Sequence, residues 1–304
     1  MHRSSFAAFT SLLFLLACTQ AGAGRPGSGP SVAQPAPLEI ATWNIGWLTD
    51  RAADINAANP DARYPIHQRT DADFALLRSY AERLDADIVA LQEIDTLAAA
   101  RKVFDPAVYE IVLTDETDYQ RPGFAIRKSL RYTRNPDVEA LDLIPTEPRS
   151  LRRGADITVH LPGGDIRLLS VHLKSGCFTP QHTTEACGQI RTQIPILSAW
   201  IDQRQKEGVA FAVLGDFNRR FNDADPLWAA LDNGPTPLVL TTRTRTSACW
   251  GGEYPEFIDH ILLGNGAAQR LQPESFEVIV YEQTDREDKN RLSDHCPVSV
   301  RLAP

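Results

Sequence analysis

Six short segments of this 304-residue chain place polar side chains at the end of a hydrophobic run, where an apolar core would not favour them. They read WN at 43–44, QE at 92–93, VHLK at 171–174, GDFN at 215–218, IDH at 258–260 and SDH at 293–295. Together they supply three Asp, one Glu, two Asn and three His. Carboxylate and amide oxygens suit a hard divalent cation, and His beside Asp suits acid–base chemistry. If the ends of the runs meet in space, the pattern predicts one cluster of carboxylates and imidazoles.

The elements that must position these side chains are apolar runs of strand length, most of them rich in Val, Ile and Leu. They span residues 38–43, 87–91, 109–113, 124–126, 157–160, 166–173, 209–214, 257–263, 276–281 and 297–302. Apolar residues recur on one helical face over 71–84 and 189–205, which predicts two amphipathic helices. The sequence PGGD at 162–165 is typical of a hairpin turn. Helices mixed with hairpins favour packed sheets covered by helices over a single doubly wound sheet.

In their order and rough spacing, the six segments resemble the endonuclease/exonuclease/phosphatase superfamily, which has the DNase I-like fold. Each motif alone is a weak signal, whereas all six in order across residues 38–302 are a specific one. The resemblance implies an α/β fold of four layers, an α/β/β/α sandwich in which two packed mixed β-sheets are flanked by helices. It also implies a site at one edge of the sandwich.

The resemblance implies a metal site. Glu93 matches the residue that binds Mg²⁺ (or Mn²⁺), with Asn44 beside it. Asp294 matches a carboxylate next to the catalytic His that is often a further ligand. Gly46 stands where some nuclease members carry a second acidic ligand, so a single-metal site held mainly by Glu93 is favoured. Such an ion would polarise phosphoryl oxygens and stabilise charge on the departing group.

The resemblance also implies the catalytic residues. His295 matches the His that activates or aligns water, and Asp259 matches the partner that fixes its tautomer. Asp216 and Asn218 match the pair that orients the nucleophile and holds the phosphate. His172 matches the second His, which contacts the scissile phosphate. The acidic loop at 115–119 lies in the region expected to support that His, but the sequence does not identify the partner.

Three further polar residues are weaker candidates. Arg121 is either a phosphate contact or a solvated loop residue. Arg219 and Arg220 are candidates for the substrate-binding rim. His260 is expected to be structural, because its neighbour Asp259 carries the family match and successive side chains of a strand point to opposite faces.

The first residues predict export. Residues 1–17 combine a positive start at Arg3 with a short apolar run, which is typical of a signal peptide. The sequence LLAC at 15–18 resembles a bacterial lipoprotein signal, in which Cys18 is lipidated, while cleavage near residues 21–24 is the alternative. Residues 18–37 predict a flexible linker, and one domain is expected over 38–304. The protein is therefore expected either on the bacterial envelope, with membrane contact through a lipid anchor, or in secreted form.

The other four cysteines bear on the redox environment. Cys177 and Cys187 flank a polar loop and are predicted to form a disulfide in an oxidising compartment. Cys249 and Cys296 either pair or stay reduced. A zinc site is not expected, because the chain has no CxxC and its His residues lack ligand spacing.

The overall charge bears on the substrate class. A net charge of −8 and a pI of about 5.4 disfavour a non-specific nucleic-acid binder. A local basic groove is nevertheless compatible with an acidic protein. We predict a monomeric phosphate-ester hydrolase, foremost a phosphodiesterase or nuclease acting on nucleic acid outside the cytoplasm. The alternatives are a phospholipid or sphingomyelin phosphodiesterase, with 250–254 as its apolar loop, and a sugar, inositol or nucleotide phosphatase. A non-catalytic surface protein on the same scaffold is disfavoured, because every matched residue is retained.

Overall fold

The computed structural model describes residues 36–62, 65–144 and 151–304. The predicted signal segment, Cys18 and nearly all of the predicted linker lie outside these residues and stay predictions. Strand β1 begins at Leu38, which is the first residue of the predicted domain. No helix among the described residues combines the length and the apolar character that a bilayer crossing requires.

Two mixed sheets of six strands form the centre of the domain. The strands are β1 (Leu38–Leu48), β2 (Ile88–Ile94), β3 (Tyr109–Leu113), β4 (Arg121–Arg127), β5 (Arg131–Arg134), β6 (Ala155–His160), β7 (Ile166–His172), β8 (Ala210–Asp216), β9 (Val239–Leu240), β10 (Asp259–Gly264), β11 (Glu277–Val278) and β12 (Val298–Leu302). The first sheet has the order β11-β12-β1-β2-β4-β3, and the second has the order β5-β6-β7-β8-β10-β9. The pairs β1–β2 and β7–β8 are parallel, and all other neighbours are antiparallel.

Helices α2 and α3 cover the outer face of the first sheet, and α4 and α5 cover that of the second. The helices are α1 (Ala52–Ala58), α2 (Asp71–Leu84), α3 (Leu97–Val103), α4 (Glu185–Glu207), α5 (Pro226–Leu231), α6 (Gly266–Arg270) and α7 (Asp288–Arg291). Phe74 and Leu77 of α2 pack on the first sheet, and Ile194 and Leu197 of α4 pack on the second. The four-layer α/β/β/α sandwich expected from the sequence is therefore confirmed.

The layer between the two sheets is the central core. Ile40 and Ile88 of the first sheet share one buried cluster with Leu168 and Leu214 of the second. Each fully buried side chain of this kind contributes about 1.5–3 kcal/mol to folding. Because strand side chains alternate between faces, neighbours such as Ala41 and Val213 belong to the outer clusters that contact the helices.

His260 shows this alternation directly. Its ring points away from the layer between the sheets. On the outer side, the Nδ1 atom lies 2.6 Å from the Thr242 hydroxyl and Nε2 lies 2.8 Å from the Arg219 carbonyl. The ring also packs against Phe217 and Phe221. Burial lowers the pKa of His260 to about 4. The residue is structural, as predicted, and it is held in the neutral form.

We expect His260 to make the fold sensitive to acid. The unfolded chain takes up a proton near the ordinary pKa of about 6.5, while the folded ring resists protonation until about pH 4. The stability that the neutral ring contributes is therefore present above pH 6.5 and is lost as the pH falls to about 4, a change of roughly 3 kcal/mol. A His260→Gln variant should be less stable at pH 7 but should lose less stability on acidification. Urea unfolding at several pH values from 7 to 4.5 gives the pH dependence of the free energy of unfolding for both proteins. An equal dependence in wild type and His260→Gln would contradict a neutral, buried His260.

Candidate active site

The candidate site continues the layer between the two sheets. Along β1 this face reads Ile40, Thr42 and Asn44, and along β8 it ends with Leu214 and Asp216. Strands β2, β7 and β10 show the same change from apolar to polar at the same end, where they carry Gln92, His172 and Asp259. Asn44, His172, Asp216 and Asp259 therefore meet because each is the inward-facing position at the end of its strand that lies at this edge, whereas His295 reaches them from a loop.

A buried polar bridge joins the sheets directly beneath the site. The hydroxyl of Thr42 donates to the side-chain oxygen of Gln92 over 3.1 Å, and the Gln92 amide donates to the hydroxyl of Ser170 over 3.2 Å. Ser170 in turn donates to the Leu91 carbonyl. All these polar groups are fully buried, so each would destabilise the core without its partner.

Asn44 connects carboxylates from both sheets. Its Nδ2 atom donates to Glu93 Oε1 over 3.2 Å and to Asp216 Oδ2 over 3.1 Å. Its Oδ1 atom accepts the Gly46 N–H over 2.9 Å, and the Trp47 N–H donates to Glu93 Oε2 over the same distance. Asn44 therefore positions Glu93 through its amide, and its predicted role as a metal ligand stays a prediction.

The backbone is strained at two of the catalytic candidates. Glu93 has φ 63° and Asn218 has φ 50°, both in the left-handed region that non-glycine residues seldom adopt. Gly215 precedes Asp216, and a Cβ atom there would lie 2.0 Å from the Val171 carbonyl oxygen. Only glycine therefore permits β8 to approach β7 so closely. Strain of this kind is commonly found where the structure must aim functional side chains.

His295 and Asp259 form a close pair. The His295 Nδ1 atom lies 2.7 Å from Asp259 Oδ2, while Nε2 lies 3.9 Å from both Asp216 Oδ2 and Asp294 Oδ1. Burial opposes protonation of the ring, but the Asp259, Asp294 and Asp216 carboxylates hold the pKa of His295 well above its ordinary value. Asp259 thus orients the ring and leaves Nε2 facing the other carboxylates.

The backbone around His295 is anchored to β1. The His295 N–H donates to Ser293 Oγ over 3.0 Å, and that hydroxyl donates to the Asn44 carbonyl over 2.7 Å. The Tyr281 hydroxyl donates to the His295 carbonyl over 2.8 Å and accepts the Trp43 indole N–H over 2.9 Å. These bonds place the catalytic His loop beside the end of the strand that carries Asn44.

Asp216 is fully enclosed and lies between the two histidines. It accepts the Asn218 N–H over 2.7 Å and the Asn218 side-chain amide over 3.0 Å. Burial, together with the neighbouring charges of Asp259 and Glu93, raises the pKa of Asp216 to about 7. The Asp216–Asn218 pair predicted from the sequence is therefore in direct contact.

His172 lies across the site from His295. Its Nε2 atom is 3.5 Å from Asp216 Oδ2 and 3.7 Å from Glu93 Oε1. Burial and the nearby positive charge of Arg152 lower the pKa of His172 well below its ordinary value, so the ring is neutral. The Nδ1 atom makes no hydrogen bond of ordinary geometry among the described residues, although the backbone of Gln120 favours its protonation. No carboxylate of the loop at 115–119 acts as its hydrogen-bond partner there.

The donor set fits a hard divalent cation. Oxygen and nitrogen atoms of Asp216, Asp259 and His295 lie within 4.8 Å of one another, and Glu93 faces the same space. The buried Oδ1 atom of Asp259 has no hydrogen-bond partner among the described residues. A cation would relieve this concentration of buried negative charge. Because the His295 ring is committed to Asp259, the carboxylates of Glu93 and Asp216 are the better ligands, with Asp294 at the exposed mouth.

Sequence reasoning missed Arg69. Its buried guanidinium group, whose pKa burial lowers to about 10, donates to backbone carbonyls from both sides of the site. The acceptors are the carbonyls of Ile45, Gly46, Trp47, Arg291 and Leu292. The end of β1 is thereby tied to the loop that leads to His295. No motif signals such a residue, because backbone carbonyls carry no information about residue type.

The two predicted substrate arginines lie elsewhere, which corrects both expectations. Arg219 is buried, forms a two-point ion pair with Asp225 over 2.6 and 3.0 Å, and donates to the Cys177 carbonyl. Its guanidinium group therefore anchors a loop and is not available to a substrate. Arg121 donates to the Asp95 and Thr114 carbonyls and lines a separate depression that contains none of the catalytic candidates. Both were misjudged because ion pairs and carbonyl contacts leave no local pattern.

Three depressions meet at the site. One of about 300 Å³ is mainly aromatic and is lined by Phe178, Trp250, Tyr254 and Phe257 next to His295. A second, of about 510 Å³, extends from Glu93 and His295 towards Arg286 and Lys289. A third, of about 440 Å³, runs from Glu93 past Arg152 and Lys174. The first depression therefore presents aromatic side chains together with Arg220, and the other two contain cationic side chains, of which Lys289 is paired with Glu253.

The sequence profile of the Endonuclease/Exonuclease/phosphatase family matches residues 41–295, the span that holds every one of these catalytic candidates. The chain belongs to this family. Members of the family are phosphoester hydrolases, and the resemblance seen in the six segments is confirmed.

Solved structures agree on the fold. Truncated Caenorhabditis elegans TDP2 is 14% identical with a TM-score of 0.60, and the match covers 88% of this chain and 98% of that one. An endonuclease/exonuclease/phosphatase from Bacteroides vulgatus is 16% identical with a TM-score of 0.53, covering 88% and 99%. D. rerio TDP2 complexed with a single-strand DNA product is 18% identical with a TM-score of 0.54, covering 89% and 100%. No curated protein sequence matches the chain. At these identities, the structural likeness shows a shared fold.

Replacing Asp259 tests the pair that it forms with His295. An Asp259→Asn variant keeps the side-chain volume but loses the charge that orients the ring, so kcat for a chromogenic phosphodiester should fall by about 100-fold or more. The KM should change little, because the other strand-end residues stay in place. Asp294→Asn, which changes a residue at the exposed mouth of the site, should lower kcat much less. Equal losses in the two variants would contradict the pairing.

Arg69 should support the fold as much as the site. An Arg69→Lys variant keeps the charge but cannot reach five carbonyls from one planar group, and we expect a loss of about 3 kcal/mol in the free energy of unfolding. The matched control is Arg83→Lys on the exposed face of α2, where the side chain is 48% exposed and the loss should stay below about 0.5 kcal/mol. Urea unfolding monitored by circular dichroism measures both. A small loss at Arg69 would show that water replaces its bonds readily.

Proposed function

We propose that this protein is an exported, Mg²⁺- or Mn²⁺-dependent phosphodiesterase that uses water to cleave nucleic acid. The observation that carries the proposal is the meeting of the Asp259–His295 pair with Glu93 and Asp216 in one cleft. This constellation provides an oriented imidazole, buried carboxylates and a candidate cation site around the place where a phosphate group would bind.

The chain's own residues divide the work. Asp259 holds His295 so that Nε2 reaches the cleft, where it aligns water and exchanges protons with the reacting group. Asp216 and Asn218 fix the position of the nucleophile, and neutral His172 contacts the phosphate from the opposite side. The chemistry that a divalent cation held by Glu93 would supply is polarisation of the phosphoryl oxygens and stabilisation of charge on the leaving oxygen. Placement of this kind accounts for much of the rate of such displacements.

Nucleic acid is favoured as the substrate for two reasons. The cationic side chains Arg152, Lys174 and Arg286 line the depressions that lead away from the site, and they suit phosphates on either side of the scissile one. In addition, D. rerio TDP2, a neighbour in fold, is complexed with a single-strand DNA product. Export is supported by the two disulfides of the described residues, since such bonds persist in oxidising compartments.

A lipid phosphodiesterase is the second candidate, and one observation favours it. Tyr254 is 54% exposed beside the cleft, and partly buried Trp250 lies in the same loop. Aromatic side chains at a rim of this kind are suited to contact a membrane surface.

One panel of assays separates these candidates. With Mg²⁺ or Mn²⁺, we expect hydrolysis of single-stranded DNA and of bis(p-nitrophenyl) phosphate, no hydrolysis of sphingomyelin, and none of any ester in EDTA. Glu93→Gln and His295→Ala should each lower kcat by about 100-fold or more. Glu82→Gln, an exposed carboxylate change on α2, is the matched control and should retain full activity.

Several results would overturn the proposal. Preferential cleavage of sphingomyelin would establish the lipid candidate. The absence of metal-dependent hydrolysis of every ester, or full activity in both Glu93→Gln and His295→Ala, would refute the mechanism.

A further inference from the structure

One short segment, residues 249–250, bonds to the loop that carries His295 on both sides of that residue. Cys296 follows His295 directly and forms a disulfide with Cys249, which lies 47 residues earlier in the chain. On the other flank, the indole N–H of Trp250 donates to the Ser293 carbonyl over 3.0 Å. Two adjacent residues, Cys249 and Trp250, therefore hold positions 296 and 293.

The disulfide and the Trp250–Ser293 hydrogen bond add to the bonds from β1. Tyr281 and the Ser293 hydroxyl fix the His295 backbone towards the first sheet. His295 itself lies between α7 and β12, outside any helix or strand. Its ring nevertheless reaches Asp259 of the second sheet, so the position of the loop decides whether that pair can form. Cys249 and Trp250 add a second restraint on the loop, and they pack with Cys296 against the buried cluster on the outer face of the first sheet.

The segment at 249–252 has an irregular backbone. Trp250 has φ 49° and Gly251 has φ 67°, so the two residues adopt left-handed backbone in succession. The Trp250 ring packs on Tyr281 with ring centres 5.2 Å apart. Because such a segment lacks the bonds of a regular helix, a covalent link to Cys296 keeps Trp250 in register with Ser293.

We propose that the Cys249–Cys296 disulfide and the Trp250–Ser293 hydrogen bond form a positioning clamp for His295, so that the oxidised chain turns over about tenfold or more faster than the reduced chain. The proposal rests on the hydrolytic function proposed above. Reduction by a dithiol breaks the S–S bond: two electrons and two protons convert Cys249 and Cys296 to thiols, and the dithiol becomes a cyclic disulfide. Loss of the clamp lets the ring drift from Asp259, while Glu93, His172 and Asp216 stay on their strands. The clamp therefore governs kcat more than KM.

The two disulfides differ in accessibility. Cys249 is partly exposed, and the Cys249–Cys296 bond lines the aromatic depression beside His295. Cys177 and Cys187 are 2% and 0% exposed, Cys187 lies in the first turn of α4, and both belong to the buried cluster between α4 and the second sheet. A dissolved dithiol reaches the first bond more readily than the second.

Matched double variants test the clamp. Cys249→Ser with Cys296→Ser removes the clamp disulfide, and Cys177→Ser with Cys187→Ser removes the other. Both pairs should lower the melting temperature. Below both melting temperatures, with Mg²⁺ and bis(p-nitrophenyl) phosphate, only the first should lower kcat by about tenfold or more, with KM changed by less than about threefold. A kcat within about threefold of wild type in the first pair, or equal losses in both pairs, would overturn the proposal.

Two further measurements keep the test decisive if the first double variant does not fold. Trp250→Phe retains the ring and the disulfide but removes the donor to Ser293, and it should lower kcat several-fold; unchanged kcat would contradict the clamp. Wild-type protein treated with dithiothreitol should lose turnover in step with the appearance of free Cys249 thiol, and reoxidation should restore it. Inactive oxidised wild type would instead refute the proposed function, whereas active wild type that is insensitive to reduction of this bond would refute the clamp alone.

Discussion

The two hydrogen bonds of the Asn44 amide hold the site together across the sandwich. One bond goes to Glu93 on the neighbouring strand of its own sheet, and the other goes to Asp216 of the opposite sheet. Two carboxylates so close would repel each other in a buried setting, and the shared amide donor offsets part of that cost. The spacing between the sheets at this end is thereby matched to the reach of one short side chain. The Thr42–Gln92–Ser170 bridge beneath it keeps that spacing constant.

The two halves of the site are built differently. Glu93, His172 and Asp216 belong to central strands, and their positions follow from strand pairing, such as that of His172 with Asp216. His295 comes from a loop, so it needs several separate restraints: Asp259 on the ring, Tyr281 on the carbonyl and Arg69 on the approach to the loop. Removing one strand-end side chain changes chemistry locally, whereas loosening the loop displaces an entire catalytic group. This difference explains why bonds far from the cleft matter for His295.

The sequence predicted those parts of the structure that have a period. Strand alternation placed His260 on the face opposite Asp259. Helix α2 was predicted with its observed bounds from its apolar period, and in the structure Thr70 and Asp73 form a capping box at its start. Helix α4 begins at Glu185, four residues before the prediction, which left Cys187 at the edge of a polar loop although it is buried in the first turn of the helix. Short or exposed elements were missed: β5 is a four-residue edge strand of mostly polar residues, and β9 has two residues.

The failures at the site have a common physical cause. Arg69 and Arg219 were overlooked or misassigned because their partners are backbone carbonyls or an acid that becomes adjacent only after folding. The pairing of Cys249 with Cys296 was likewise left open, since 47 intervening residues carry no local signal of proximity. Motifs record which side chains the chemistry requires. They do not record which groups keep those side chains in place.

Net charge was a similarly incomplete guide to the substrate. The chain carries a net charge of −8, yet Arg152 and Lys174 lie side by side on one wall of the cleft. Burial and the charge of Arg152 lower the pKa of Lys174, and Arg152 also disfavours protonation of His172. Positive groups that repel one another at close range are stabilised by an anion placed between them. The electrostatic field that a ligand meets is set by the few charges within a Debye length rather than by the net charge of the protein. An acidic protein can therefore bind a nucleic-acid backbone at the candidate site.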